Sequence, residues 1–270
     1  MFYGREKELK LLEEKYLSSK SELVVIYGRR RIGKSTLVHK FSENKKQIKF
    51  EGIEGEQSLY QIQNVSEQII AKTKDPFAGS TLFNRWEIVF SYLTEKIVIN
   101  KRRKKKLILF FDEIQWMAAG RSKLISIMKY YWDNFWKDNH VMLILCGSIA
   151  SFMVKKVISS KALYGRVTLE ILLQSLSPSE SALFFDNKRS KEEILKYLMI
   201  LGGVPKYLEE IDLNKSFNQN INRLCFEKNI YLVNEISKIF RPVQLKLVKY
   251  NRQRRRFDFL FYIIACPYRS

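Results

Sequence analysis

An α/β architecture, with a parallel five-stranded sheet followed by a smaller helical segment, is what this sequence predicts. Five short apolar, β-branched runs, at 23–27, 47–50, 107–111, 141–146 and 167–172, are bounded by turn or polar residues and separated by helix-like stretches. Their hydrophobicity is nearly continuous rather than alternating, the pattern of strands covered on both faces. From about residue 177 the strand signal fades and helical spacing takes over.

The covering helices are expected at 6–16, 34–41, 59–72, 84–99 and 124–136. The last carries Tyr130, Tyr131, Trp132, Phe135 and Trp136, an aromatic stripe at helical spacing that reads as core. Further on, Pro178 marks a helix start, residues 191–200 are apolar on one face, Gly202-Gly203 makes a turn, and residues 216–240 read as one or two more helices. A chain of 270 residues is expected to divide into a core at 1–175, a helical region at 176–245 and an irregular basic tail at 246–270.

Composition narrows the function classes. No apolar run approaches the roughly 20 residues that cross a bilayer, and the charged start Met1-Phe2-Tyr3-Gly4-Arg5-Glu6 does not read as a signal peptide, so a cytoplasmic protein without membrane contact is expected. Cys146, Cys225 and Cys266 lack C-x-x-C spacing and have only His39 and His140 to help them, which argues against a metal site built on them or a disulfide framework. The net charge of +20 is partly clustered in the tracts Lys101 to Lys106 and Arg252 to Arg256. Such tracts fit nucleic-acid phosphates, or equally a solvated loop and tail.

Gly28-Arg29-Arg30-Arg31-Ile32-Gly33-Lys34-Ser35 fits G-x-x-x-x-G-K-[ST] and lies between the first strand run and a helix, the context this phosphate-binding loop requires. Its glycines let successive backbone N–H groups converge on phosphate oxygens, and the helix N-terminus adds positive dipole. Lys34 would reach the β and γ phosphates, and the Ser35 hydroxyl, followed by Thr36, would be a magnesium ligand. Arg29, Arg30 and Arg31 are not counted as DNA contacts, because side chains at these positions can point away from the phosphates.

The third strand run ends in Asp112-Glu113, the Walker B arrangement. Asp112 at the strand end can hold the magnesium hydration shell, while Glu113 is placed to orient or deprotonate a water. The fourth run ends in Cys146-Gly147-Ser148, which puts the Ser148 hydroxyl at the carboxyl edge of the sheet, as a phosphate sensor or a helix N-cap.

With these residues stand Tyr3-Gly4-Arg5-Glu6, Asp112-Glu113-Ile114-Gln115-Trp116, Leu163-Tyr164-Gly165-Arg166 and Gly202-Gly203-Val204-Pro205. In this order the set resembles the archaeal-type AAA ATPase family, P-loop NTPases related to origin-recognition initiators and STAND signalling ATPases. The resemblance runs from residue 2 to about 210. It implies an ATPase with ATP and Mg2+ as ligands, Tyr3, Gly4 and Arg5 near the adenine, Ser148 as the sensor, and Pro205 of a helical lid packed on the base. Arg166 would be the arginine that reaches a γ-phosphate, or else an ordinary ion pair beside the fifth strand. Relatives of this kind continue into a winged helix and a nuclease-like region, and residues 250–270 resemble neither, so the tail reads as truncated or frame-shifted.

Three function classes follow. An ATP hydrolase that couples nucleotide state to lid movement and a protein or homo-oligomeric partner is expected first, because a binding-only protein has no need of Glu113. A nucleotide-gated DNA- or protein-binding module with negligible turnover is second. A small-molecule kinase is last, since 177–211 offers only Arg189 as a lid arginine.

Overall fold

The structure, a computed structural model, describes residues 2–73, 83–99, 104–120 and 122–227. The tract residues 101–103 and 252–256, Cys266 and the later part of the predicted 216–240 helices lie outside the described residues. The described residues divide into two compact units, one formed by Phe2 with the described residues of 4–174 and the other by Tyr3 with residues 175–227.

In the first unit, α1 (Glu6–Leu17) leads to β1 (Glu22–Tyr27), and α2 (Lys34–Ser42) leads to β2 (Gln47–Glu51). Helices α3 (Ser58–Thr73) and α4 (Trp86–Leu93) follow, then β3 (Leu107–Asp112), α5 (Ile114–Met117) and α6 (Leu124–Asn134). Strand β4 (Val141–Gly147), the short helix α7 (Ala150–Phe152) and β5 (Leu169–Leu172) complete it. The strands form one parallel sheet in the order β2-β3-β4-β1-β5, the predicted five-stranded arrangement.

Strand periodicity divides the core between the two faces of this sheet. Leu23, Val25, Leu109, Phe111, Leu143 and Leu145 pack into the cluster that holds the buried side chains of α3, α4 and α6. Their neighbours Val24, Ile26, Ile108, Phe110, Ile144 and Cys146 face the other way, with Leu12 and Tyr16 of α1 and Leu37, Val38 and Phe41 of α2. The three central strands are buried at every position, as continuous hydrophobicity predicts. The two edge strands are not: β2 alternates buried Ile48 and Phe50 with exposed Lys49 and Glu51, and only Ile171 of β5 is buried. An edge strand has a neighbour on one side only, so its outer positions reach solvent.

The predicted helix at 84–99 begins at Trp86 and widens into a π-helical turn over Thr94–Val98. The Thr94 hydroxyl donates back to the Phe90 carbonyl at 2.6 Å and accepts from Trp136 Nε1 at 2.9 Å. This turn therefore anchors the aromatic stripe, in which Tyr131, Trp132 and Trp136 are buried as predicted while Tyr130 is exposed. Phe90 lies at the stripe's centre, its ring 5.3 Å from that of Trp136, 5.6 Å from Tyr131 and 6.0 Å from Phe111.

The basic tract that precedes β3 ends inside the fold rather than on its surface. Lys106 is 3% exposed and donates to the Lys15 carbonyl at the end of α1 and to the Ser18 hydroxyl. Lys106 is thus removed from any nucleic-acid footprint of residues 101–106, and burial lowers its pKa. Lys104 and Lys105 remain exposed.

Among its described residues the second unit has helices and no strand, with α8 (Pro178–Ala182), α9 (Lys191–Leu201), α10 (Pro205–Leu208) and α11 (Phe217–Ile221). Pro178 occupies the first turn of α8, where its missing N–H costs nothing, and Ser177 and Glu180 form a reciprocal capping box. Phe185, Tyr197, Leu201, Val204 and Leu208 form its core. Leu176 donates to the Gly203 carbonyl at 2.7 Å, and a side chain at residue 203 would run into the Leu176 backbone. The Gly-Gly turn therefore serves close backbone approach. Among the described residues, no helix is long and apolar enough to cross a membrane.

Replacing Phe90 with Ala is expected to cost about 3–5 kcal/mol, the range for emptying an aromatic core position. Urea unfolding of the two proteins would measure it.

Candidate active site

The register of the sheet brings the motif residues together. Tyr27 of β1 lies opposite Gly147 of β4, and Phe111 of β3 opposite Leu145, so three strands end at one edge. Gly28, Ser148 and the Asp112-Glu113 pair emerge there side by side, the carboxyl edge where open α/β sheets bind ligands.

Between β1 and α2 the chain turns through two glycines with positive φ, Gly28 at 150° and Gly33 at 88°, with Arg31 also left-handed at 71°. A side chain at Gly28 would collide with the Leu173 carbonyl and the Ile32 side chain. Gly33 caps α2, and the first intrahelical bond runs from the Leu37 N–H to its carbonyl at 2.8 Å. Helix geometry leaves the N–H groups of Lys34, Ser35 and Thr36 without intrahelical acceptors, directed out of the helix start.

Lys34 lies under this loop at 5% exposure. Its Nζ donates to the carbonyls of Gly28 and Arg29, both at 3.0 Å, and meets no carboxylate among the described residues. Burial of an ammonium group without a counter-charge is costly, which leaves a local demand for an anion. Ser35 is half-buried and Thr36 exposed. The side chains of Arg29 and Arg30 are exposed, and Arg30 pairs with Glu54 at 2.5 Å.

Arg5 does something the motif reading did not anticipate. It is 5% exposed, and its guanidinium donates to the Ile32 carbonyl inside the loop at 3.1 Å and to the Gln174 carbonyl just after β5 at 2.5 Å. It thereby fixes the loop to the end of the sheet. Gly4 and Arg5 themselves adopt left-handed conformations as the chain enters α1.

Asp112 is 1% exposed. Its Oδ1 accepts from the Glu113 N–H at 3.1 Å, and its Oδ2 lies 3.2 Å from Lys49 Nζ, a lysine on edge strand β2 that also binds Glu51. The Cys146 thiol, fully buried beside Asp112, has its pKa pushed up by burial first and then by that carboxylate, and so packs as a small hydrophobe.

Glu113 is the left-handed N-cap of α5, at φ 50°. Its Oε2 accepts the Ser148 hydroxyl at 2.7 Å and also the Gln115 side-chain amide. Gln115 Nε2 reaches the Ser148 oxygen as well, at 3.1 Å, so the three side chains close a triangle. Beside it, a cleft of about 690 Å³ lined by Glu113, Trp116, Lys49 and Arg30 opens to solvent.

Arg166, the remaining catalytic candidate of the first unit, forms a two-pronged ion pair with Asp133 of α6, Nε to Oδ1 at 2.7 Å and the terminal nitrogen to Oδ2 at 2.9 Å. Here the ordinary ion pair beside the fifth strand is the contact made. Tyr3 and Pro205 belong to the second unit: the Tyr3 ring meets Phe184 at 4.7 Å, and Pro205 occupies the first turn of α10.

Residues 2–211 match the family described as "ATPase domain predominantly from Archaea". The chain belongs to that family. A Methanocaldococcus jannaschii protein called uncharacterized is 33% identical over 216 residues, which are 79% of this chain and 44% of that one. The chain thus spans less than half the length of that relative. An uncharacterized ATP-binding protein of Pyrococcus abyssi is 26% identical over 246 residues, covering 78% of this ATPase-family chain and 72% of the relative. Among solved structures, the Walker-type ATPase PABY2304 of the same organism superposes with a TM-score of 0.63 at 21% identity, over 92% of this chain and 76% of that one. The Aeropyrum pernix ORC2 protein, solved in ADPNP–ADP complexes, gives 0.58 at 14% identity, over 93% and 71%. These likenesses establish the P-loop ATPase fold, and the family with its ATP-binding relatives supports nucleotide binding.

The Asp133 carboxyl, held by Arg166 and Lys129, titrates at about 2. A folded-state pKa below the unfolded value of about 3.9 stabilises the fold fully above that value, and the contribution is lost as pH falls toward 2. Asp133→Asn is therefore expected to be less stable than the wild type at neutral pH but to lose less stability between about pH 4 and 2. Denaturant midpoints across that range would check the difference, which is expected to shrink in high salt because the pair is partly solvated.

Proposed function

We propose that this chain binds Mg-ATP at the edge formed by β1, β3 and β4, and hydrolyses it. The observation that carries the reading is Lys34, an ammonium group buried at the head of α2 whose partners among the described residues are two carbonyl oxygens. The γ-phosphate is the anion it lacks, and the backbone N–H groups of such a loop, with the helix N-terminus behind them, favour the same anion.

Ser35 and Asp112 offer a hydroxyl and a carboxylate, hard oxygen donors of the kind that bind magnesium together with substrate phosphates and waters. When bound, the metal would neutralise charge on the β and γ phosphoryl oxygens. The protein's own contributions are positional. Lys34 and the loop amides from Gly28 to Thr36 hold the phosphates, with Arg29, Arg30, Arg31 and Ile32 engaged through their backbone. Arg5 keeps the loop in shape through the Ile32 carbonyl. Glu113 accepts the proton of the attacking water, and Ser148 donates to a γ-phosphoryl oxygen.

The finer parts of this proposal rest on the family resemblance. Tyr3, Gly4 and Pro205 would meet the base, and the helical unit would serve as a lid whose position follows nucleotide state and governs a protein or homo-oligomeric partner. Arg166 would contribute to catalysis only after release from Asp133, which a neighbouring subunit or a partner would have to bring about.

Lys34→Ala is expected to abolish tight Mg-ATP binding in calorimetry, since it removes the anion's principal charge partner. Glu113→Gln is expected to retain binding while losing turnover by about two to four orders of magnitude, the usual contribution of a general base. Phosphate release at saturating ATP measures this, and normal hydrolysis by the Glu113→Gln protein would refute the assignment.

A further inference from the structure

The triangle of Glu113, Ser148 and Gln115 contains a conflict. A serine hydroxyl has one proton to donate. Here the proton of Ser148 goes to Glu113 Oε2. Ser148 cannot donate to a phosphoryl oxygen until that bond is broken, so sensing the terminal phosphate and restraining Glu113 are mutually exclusive.

Gln115 is the element that stabilises the restrained arrangement. It is 3% exposed, and its amide nitrogen spans both partners, the Glu113 carboxylate and the Ser148 oxygen. Turning the amide over would set a carbonyl oxygen against the carboxylate, so the observed orientation is the favoured one. Its own Oε1, however, is buried and finds no hydrogen-bond partner among the described residues, packed toward Gly147. A buried acceptor left unsatisfied is destabilising. Gln115 keeps that cost only because its nitrogen is needed across the triangle.

We propose that Gln115 is a positioning residue that latches the Glu113 carboxylate onto Ser148 until a terminal phosphoryl group claims the serine hydroxyl. The latch makes the site respond to the third phosphate as a switch rather than as one more contact. ADP leaves the triangle intact, whereas ATP must open it, and opening frees Glu113 to meet water. This inference rests on the proposed roles of Glu113 and Ser148 and adds the device that couples them.

Gln115→Met keeps the volume, removes both donated bonds and removes the orphaned oxygen, so the fold is expected to tolerate it. Calorimetry with Mg-ADP and with a non-hydrolysable Mg-ATP analogue would give the ratio of the two affinities. The analogue is expected to gain on ADP by about tenfold in this variant, the worth of one hydrogen bond to a charged group. Turnover at saturating ATP is expected to be at least that of the wild type. In a Glu113→Gln background the same substitution is expected to shift the ratio much less, because no charged acceptor remains to be latched.

An unchanged ratio in Gln115→Met with a lowered melting temperature would reduce Gln115 to a packing residue and overturn the proposal. So would an equal shift in both backgrounds. Gln115→Asn, one methylene too short to span both oxygens, is expected to act in the same direction and serves if the Met variant does not fold. A wild-type chain that bound neither nucleotide would instead overturn the reading of the site itself.

Discussion

The parallel register of β3, β4 and β1 is the constraint on which the rest of the site depends. A parallel ladder aligns carboxyl ends with carboxyl ends, so a glycine loop, an acidic pair and a serine separated by more than a hundred residues leave the sheet together. A shift of one residue in β3 would exchange the faces on which Phe110, Asp112 and their neighbours lie. Asp112 would then leave the α2 side, where its carboxylate lies near the Cys146 thiol. Continuous burial of the three central strands holds that register, because both faces of each strand are committed to a core.

Once the edge is assembled, its electrostatics are unbalanced in a particular way. The negative side is internally satisfied: Asp112 is held by Lys49 and a backbone N–H, and Glu113 by Ser148 and Gln115. The positive side is not, since among the described residues Lys34 meets two carbonyl oxygens and no carboxylate, and the first amides of α2 have no intrahelical partner. A site with its acids occupied and its donors unsatisfied is built to receive an anion. Bringing in a polyphosphate with its metal would change the partners of every one of these groups together.

The sheet was legible because its signal is local and repeated. Five apolar runs of strand length specify five strands, and G-x-x-x-x-G-K-S after the first of them specifies the turn with two positive-φ glycines. The limits of edge strands were less legible: Val167 and Thr168 belong to the predicted fifth run but not to β5, because composition does not reveal which strands have neighbours on both sides. The π-helical turn at Thr94–Val98 was hidden for a related reason. It depends on a hydroxyl that meets Trp136 more than forty residues away, a contact no local periodicity encodes.

Side-chain partnership was the least legible level, and three residues show why. Lys49 looks like one more surface lysine on a polar-flanked strand until pairing in the sheet sets Glu51 beside Asp112 and brings its ammonium to that carboxylate. Arg5 sits in a segment matched to the family for its sequence, yet its bonds run to Ile32 and Gln174, at opposite ends of the first unit's chain. Gln115 was visible only as a letter between Glu113 and Trp116, and its meaning lies in the thirty-three-residue gap to Ser148. Motifs specify which groups reach the edge, because backbone geometry near a strand end is local. Which of those groups restrain one another depends on tertiary closure, and in this protein the restraint converges on Glu113, the carboxylate on which proposed turnover depends.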